Sequence, residues 1–61
     1  METYQVNYSF VTDIGLDYSS YFVRVKNGVE ARRICEEEIG KRKWVKWVRA
    51  NDVLSFNLKR Q

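Results

Sequence analysis

The chain has 61 residues, with 11 lysines and arginines against 8 aspartates and glutamates, no histidine and a formal charge of +3. That length suits one domain, and a composition 44% hydrophobic and 15% aromatic excludes a disordered polymer, which could not bury so much surface. No run approaches the ~18 apolar residues of a membrane span, and Met1 is followed by Glu2 and Thr3 rather than by a basic, then apolar, leader, so a cytoplasmic protein with no membrane attachment is expected.

From Thr3 to Thr12 the residues alternate strictly. Tyr4, Val6, Tyr8 and Phe10 share one parity and Thr3, Gln5, Asn7 and Ser9 the other, the pattern of a half-buried strand. The stretch from Asp13 to Ser19 breaks the alternation with turn-forming residues and predicts a longish hairpin loop. A second strand is expected over 20–26, with Tyr21, Val23 and Val25 inward and Phe22, Arg24 and Lys26 outward.

Asn27 followed by Glu30 three positions later has the form of a helix N-cap, in which each side chain satisfies an orphan backbone N–H. Ala31, Ile34, Cys35 and Ile39 then form one apolar stripe of a helix of about three turns, with Gly40 at its end. Glu38 lies beside that stripe and is expected to cover core with its stem while its carboxylate reaches water.

The segment 43–50 is rich in strand formers but ambiguous in phase. Because a lysine is costly to bury in mid-strand, Val45 and Trp47 are assigned inward and Trp44 and Lys46 outward. A bulge would swap part of this pattern. Asn51 and Asp52 predict a tight turn, after which Leu54, Phe56 and Leu58 alternate as a fourth strand.

The expected architecture is α+β, a single ββαββ domain with an antiparallel four-stranded sheet in the order 2-1-3-4 and one helix packed on one face, since a right-handed crossover places strand three beside strand one. A domain this small buries little, so a homodimer seamed along the edge of strand four stays open.

Materials for catalysis are scarce. With no histidine and one cysteine, a hydrolytic triad, a disulfide and a transition-metal site all lack their residues, so neither an enzyme nor a cofactor is expected. Glu36, Glu37 and Glu38 are neighbours on a helix and diverge by roughly 100° each, the pattern of a solvated face rather than of a divalent-ion site. Cys35 reads as a small buried hydrophobe.

Charge is distributed unevenly: residues 1–40 carry 4 basic and 7 acidic groups, and residues 41–61 carry 7 basic and 1 acidic. On the open sheet face, Phe22, Arg24 and Lys26 on one side and Trp44 and Lys46 on the other would flank a polar floor of Thr3, Gln5, Asn7 and Ser9, a trough roughly 10 Å across. Such a face suits a protein partner, with aromatic and arginine anchors, and alternatively a nucleic acid, with stacked bases and neutralised phosphates. Solubility and edge protection would account for the same basic residues without a partner.

The run Tyr21-Phe22-Val23-Arg24-Val25, then Glu30-Ala31 opening a helix with Ile34 and Glu36-Glu37-Glu38 within it, and Val45 through Val48-Arg49 as a return strand resembles small phage-encoded strand-strand-helix-strand proteins typified by the podophage inhibitor of host RNA polymerase. It covers about half of the chain. The resemblance implies a non-catalytic factor that binds and modulates a host enzyme, and it assigns no residue a role.

Overall fold

A computed structural model describes residues 1–55. Four elements follow in chain order: β1 (Glu2–Thr12), β2 (Gly15–Val25), α1 (Gly28–Gly40) and β3 (Trp47–Ser55). The strands form an antiparallel sheet in the order β2-β1-β3, with α1 across one face. The fold is thus α+β with β1 central and the third strand beside it, as its alternation and the crossover rule require.

Among the described residues the sheet has three strands rather than four. Asn51 and Asp52 do not turn the chain. They lie within β3 at a bulge, where Tyr8 pairs with Ala50 and the next residue of β1, Asn7, pairs with Asp52. Asn51 is the extra residue, and its Nδ2 donates to the Ser9 hydroxyl (3.1 Å). Leu54, expected in a fourth strand, extends β3 instead; Phe56 and Leu58 lie outside the described residues.

The first hairpin is also tighter than expected. β2 begins at Gly15, not near Ser20, and only Asp13 and Ile14 separate the strands. Gly15 has φ 120°, a conformation costly for any residue with a Cβ, and the Thr12 hydroxyl accepts from the Ile14 N–H (3.3 Å). Over residues 16–19 the alternation is inverted, with Leu16 and Tyr18 on the open face, because this part of the hairpin overhangs the helix: Asp17 and Ser19, on the helix-side parity, are exposed.

The core is small. Val6, Tyr8 and Val25 from the first two strands and Ala50 from β3 meet Ala31, Cys35 and Ile39 of the helix, with Tyr4, Phe10, Tyr21, Val23, Ile34, Val45, Val48 and Val53 around them. Asn27 caps the helix, its Oδ1 accepting from the Glu30 N–H (2.9 Å). Gly28 lets the first turn approach the sheet, since a Cβ there would lie 3.3 Å from Val53 Cγ1.

The Glu38 carboxylate reaches water, as expected. It is exposed and pairs with Lys41 (3.2 Å), whereas Glu36 reaches the sheet: its Oε2 accepts from the Ala50 N–H (2.9 Å). Position along the helix explains the difference, because α1 lies closer to β3 than to the other strands and Glu36 is on the flank that faces β3.

Candidate functional site

The sheet face opposite the helix has no element over it among the described residues. Strand pairing sets its side chains in cross-strand rows. Arg24 and Thr3 form the first, then Phe22, Gln5 and Leu54, then Ser20, Asn7 and Asp52, then Tyr18, Ser9 and Arg49, and last Leu16, Val11 and Trp47. Directly opposed residues in antiparallel strands share a face, and Val6, Tyr8 and Ala50, buried under the helix, identify the other face as the core side.

The floor is a polar network. Ser20 Oγ donates to Asn7 Oδ1 (2.8 Å) and Gln5 Nε2 donates to the same oxygen (2.8 Å) and to Ser20 Oγ (3.4 Å). A concavity of about 480 Å³ opens above Asn7, Tyr18, Ser20, Asn51 and Asp52. Tyr18, exposed by 68%, borders it, and elsewhere on the same face stand Leu16 on β2, exposed by 56%, and Trp47 and Leu54 on β3, exposed by 48% and 49%. Large apolar side chains thus stand in water on both sides of a hydrogen-bonded polar floor.

Of the residues expected to form this trough, Phe22 and Arg24 lie on the face, and Lys26 is exposed immediately after β2. Trp44 and Lys46 do not join them. The expected phase of the third strand is reversed: Trp47, assigned inward, is on the open face, and Val48 and Ala50 point at the helix. Two physical facts decide this. Lys46 precedes the strand, so the cost of burying a lysine never selects its phase. The helix also comes close, with a Cβ at Gly40 only 3.5 Å from Val48 Cγ1, which leaves space for valine and alanine but not for an indole.

Lys46 Nζ pairs with Asp13 Oδ1 (2.9 Å) at the hairpin tip. Trp44 sits in the connection between α1 and β3, with the Arg42 guanidinium 5.9 Å from its ring centroid. It lines a cavity of about 440 Å³ at the hairpin tip with Phe10, Thr12 and Asp17, residues of the helix-side parity, and with Leu16 of the open face. Phe22 is six residues along β2 from Leu16, the level of the tip, or about 20 Å away. The five expected contact residues therefore fall into two groups at opposite ends of the sheet.

Trp47, Arg49, Leu54, Leu16 and Tyr18 escaped the sequence analysis as face residues. Two patterns could have found them: Val48 and Ala50 are a better inward pair under a helix than Val45 and Trp47, and Leu16 and Tyr18 continue the parity of Ser20, Phe22 and Arg24.

The three helix glutamates do not converge. Glu36 binds the Ala50 N–H, Glu37 pairs with Arg33 (3.1 Å) and Glu38 with Lys41, and no group of three metal-ligating side chains occurs among the described residues. Cys35 is buried, and desolvation, with the Glu36 carboxylate adding to it, pushes its thiol up to about 11. A thiol so held is protonated near neutrality and a poor nucleophile. No described helix is long and apolar enough to cross a membrane.

No protein-family model, curated protein or solved structure matches the chain.

Proposed function

We propose that this chain is a small non-enzymatic protein-binding module whose contact surface is the open face of its sheet. The supporting observation is the set of large apolar side chains, Leu16, Tyr18, Trp47 and Leu54, standing about half or more exposed around one polar floor. Soluble monomers seldom leave such groups together without a use. Arg24 and Arg49 lie on the same face against one carboxylate, Asp52, so the complementary partner is a protein surface that pairs apolar groups with acidic ones. By the resemblance of its strand-strand-helix-strand segment, the module acts as a phage or mobile-element modulator of a host enzyme, in the cytoplasm.

Nucleic acid is the less favoured partner. Two arginines offset by Asp52 neutralise about two phosphates at most, and stacking rings alone give weak affinity at physiological salt.

The test is affinity capture from a lysate with the native chain, a Tyr18→Ala/Trp47→Ala chain and an Arg32→Ala chain altered on the helix. One protein retained in stoichiometric amount by the first and third chains and released by the second supports the proposal. Equal retention by all three removes the open face from it, and binding of an oligonucleotide at low salt that collapses as salt rises transfers the face to the nucleic-acid reading.

A further inference from the structure

Where the hairpin of β1 and β2 overhangs α1, the connection from residue 41 to 46 takes the place of the helix on the core side of the sheet. Backbone and side-chain bonds hold it there. The Arg42 N–H donates to the Ile39 carbonyl (3.2 Å), the Val45 N–H to the Arg42 carbonyl (3.1 Å) and the Lys46 N–H to the Val11 carbonyl (2.7 Å), while Lys46 Nζ meets Asp13 Oδ1 (2.9 Å). Trp44 lies inside this bonded segment, so the backbone that carries its indole is fixed on both sides.

The cavity of about 440 Å³ opens at this point, with Phe10, Ile14, Leu16 and Trp44 in its wall. Small-molecule sites have that size. The wall also holds two carboxylates, Asp13 and Asp17, and no lysine or arginine among the described residues lines it. The two acids differ in state. Asp13 is neutralised by Lys46, whereas Asp17 pairs with no cation among the described residues and has one oxygen bonded to the Tyr18 N–H (2.8 Å). Asp17 stands directly across from Phe10 in the strand register, which sets their Cβ atoms about 5 Å apart on one face. A negative charge thus lies beside an aromatic ring, with a second ring on the connection. That second ring already attracts one cation, the Arg42 guanidinium at 5.9 Å from its centroid.

We infer that this cavity is a binding site for a small organic ammonium ion, a cation carried on an apolar stem. Charge selects the ligand class. An organic anion would meet Asp17 with no counter-cation in the wall, and a neutral apolar molecule would strip water from that carboxylate without replacing its hydrogen bonds. An ammonium group gives Asp17 a charge-assisted bond and the rings a cation–π partner, while its stem packs among Ile14, Leu16 and Phe10. Of the open-face side chains only Leu16 borders the cavity, so the inference does not rest on the protein-binding reading of that face.

The test is a titration of the full chain with phenethylammonium, the neutral 2-phenylethanol and the anion 3-phenylpropionate, followed by the two indole N–H resonances in nitrogen–proton spectra. A range from about 10 μM to about 10 mM covers the affinities open to molecules so small. The Trp44 signal is expected to shift saturably with phenethylammonium and by more than that of Trp47 on the other face, and the alcohol and the carboxylate are expected to bind at least about fivefold more weakly. Asp17→Asn keeps an acceptor for the Tyr18 N–H and removes only the charge, and it brings phenethylammonium down to the affinity of the alcohol. Asp52→Asn, on the open face, binds as the native chain does. The comparison of the three compounds on the native chain remains decisive if a variant does not fold. A Trp44 signal unmoved across the range, a larger response at Trp47, equal binding of the three compounds, or a folded Asp17→Asn chain with native affinity each overturns the inference.

Discussion

The carboxylate of Glu36 accepts the backbone N–H of Ala50 at 2.9 Å, so a helix side chain completes the hydrogen bonding of a strand that has no neighbour on that side among the described residues. Ala50 is buried, and its N–H would otherwise be an orphan at the rim of the core. The bond ties α1 to β3 and occupies one outward donor of that sheet edge.

Glu36→Ala is therefore expected to destabilise the fold by about 1–3 kcal/mol, the range for losing a charge-assisted bond and leaving a donor unpaired. Glu36→Gln, which keeps an acceptor oxygen, costs less. Denaturant midpoints rank the two, and faster hydrogen exchange at the Ala50 amide in Glu36→Ala locates the damage.

At the other end of the helix, Asn27→Ala removes the acceptor of the Glu30 N–H and is expected to cost about 1 kcal/mol, seen as a lower midpoint in thermal melts followed by circular dichroism. Asn27→Asp retains the acceptor and most of the stability.

Deleting Asn51 tests the bulge. Without it Ala50 still pairs with Tyr8 and Asp52 with Asn7, so every other side chain of β3 keeps its face, and the loss is chiefly the bond to Ser9, about 1 kcal/mol. Deleting Arg49 instead turns Trp47 toward the helix and Val48 toward water, and is expected to abolish cooperative unfolding. A deletion of Asn51 as damaging as that of Arg49 contradicts the assigned register.

The Cys35 thiol, pushed up from 9.0 to about 11 by burial and then by Glu36, makes stability depend on alkaline pH. Above about pH 9 the unfolded chain loses this proton while the native chain holds it, so the native state binds more protons and its stability falls as pH rises from 9 to 11; below 9 the contribution is complete. Cys35→Ala is expected to show a shallower decline over that window, measured by urea unfolding at a series of pH values, and a thiol reagent at pH 8 is expected to label the native protein only after unfolding.

Much of this fold is legible in the sequence. The strict alternation from Tyr4 to Phe10 marks the central strand, Asn27 marks the start of the helix, and Ala31, Cys35 and Ile39 mark its buried stripe, because each signal is local and each is met by a local partner. Leu16 and Tyr18 were hidden because the hairpin there extends beyond the helix, so their apolar side faces away from the core and the inward positions are the polar Asp17 and Ser19. Asn51-Asp52 has turn chemistry, yet a bulge tolerates the same residues. The expected site suffered most, since shifting the phase of a strand by one residue exchanges its two faces: Trp47 came out to water and Trp44 and Lys46 dropped off the strand.

By themselves, the residues of this chain determined a three-turn helix with its cap, two strands of known inner face, and a composition with no histidine and a single cysteine. The packed structure alone decided which indole faces water and which glutamate bonds to the sheet edge. Those outcomes depend on the approach of α1 to β3 across the crossover, where valine and alanine fit and tryptophan does not, and on pairings between residues some forty positions apart that no local pattern records.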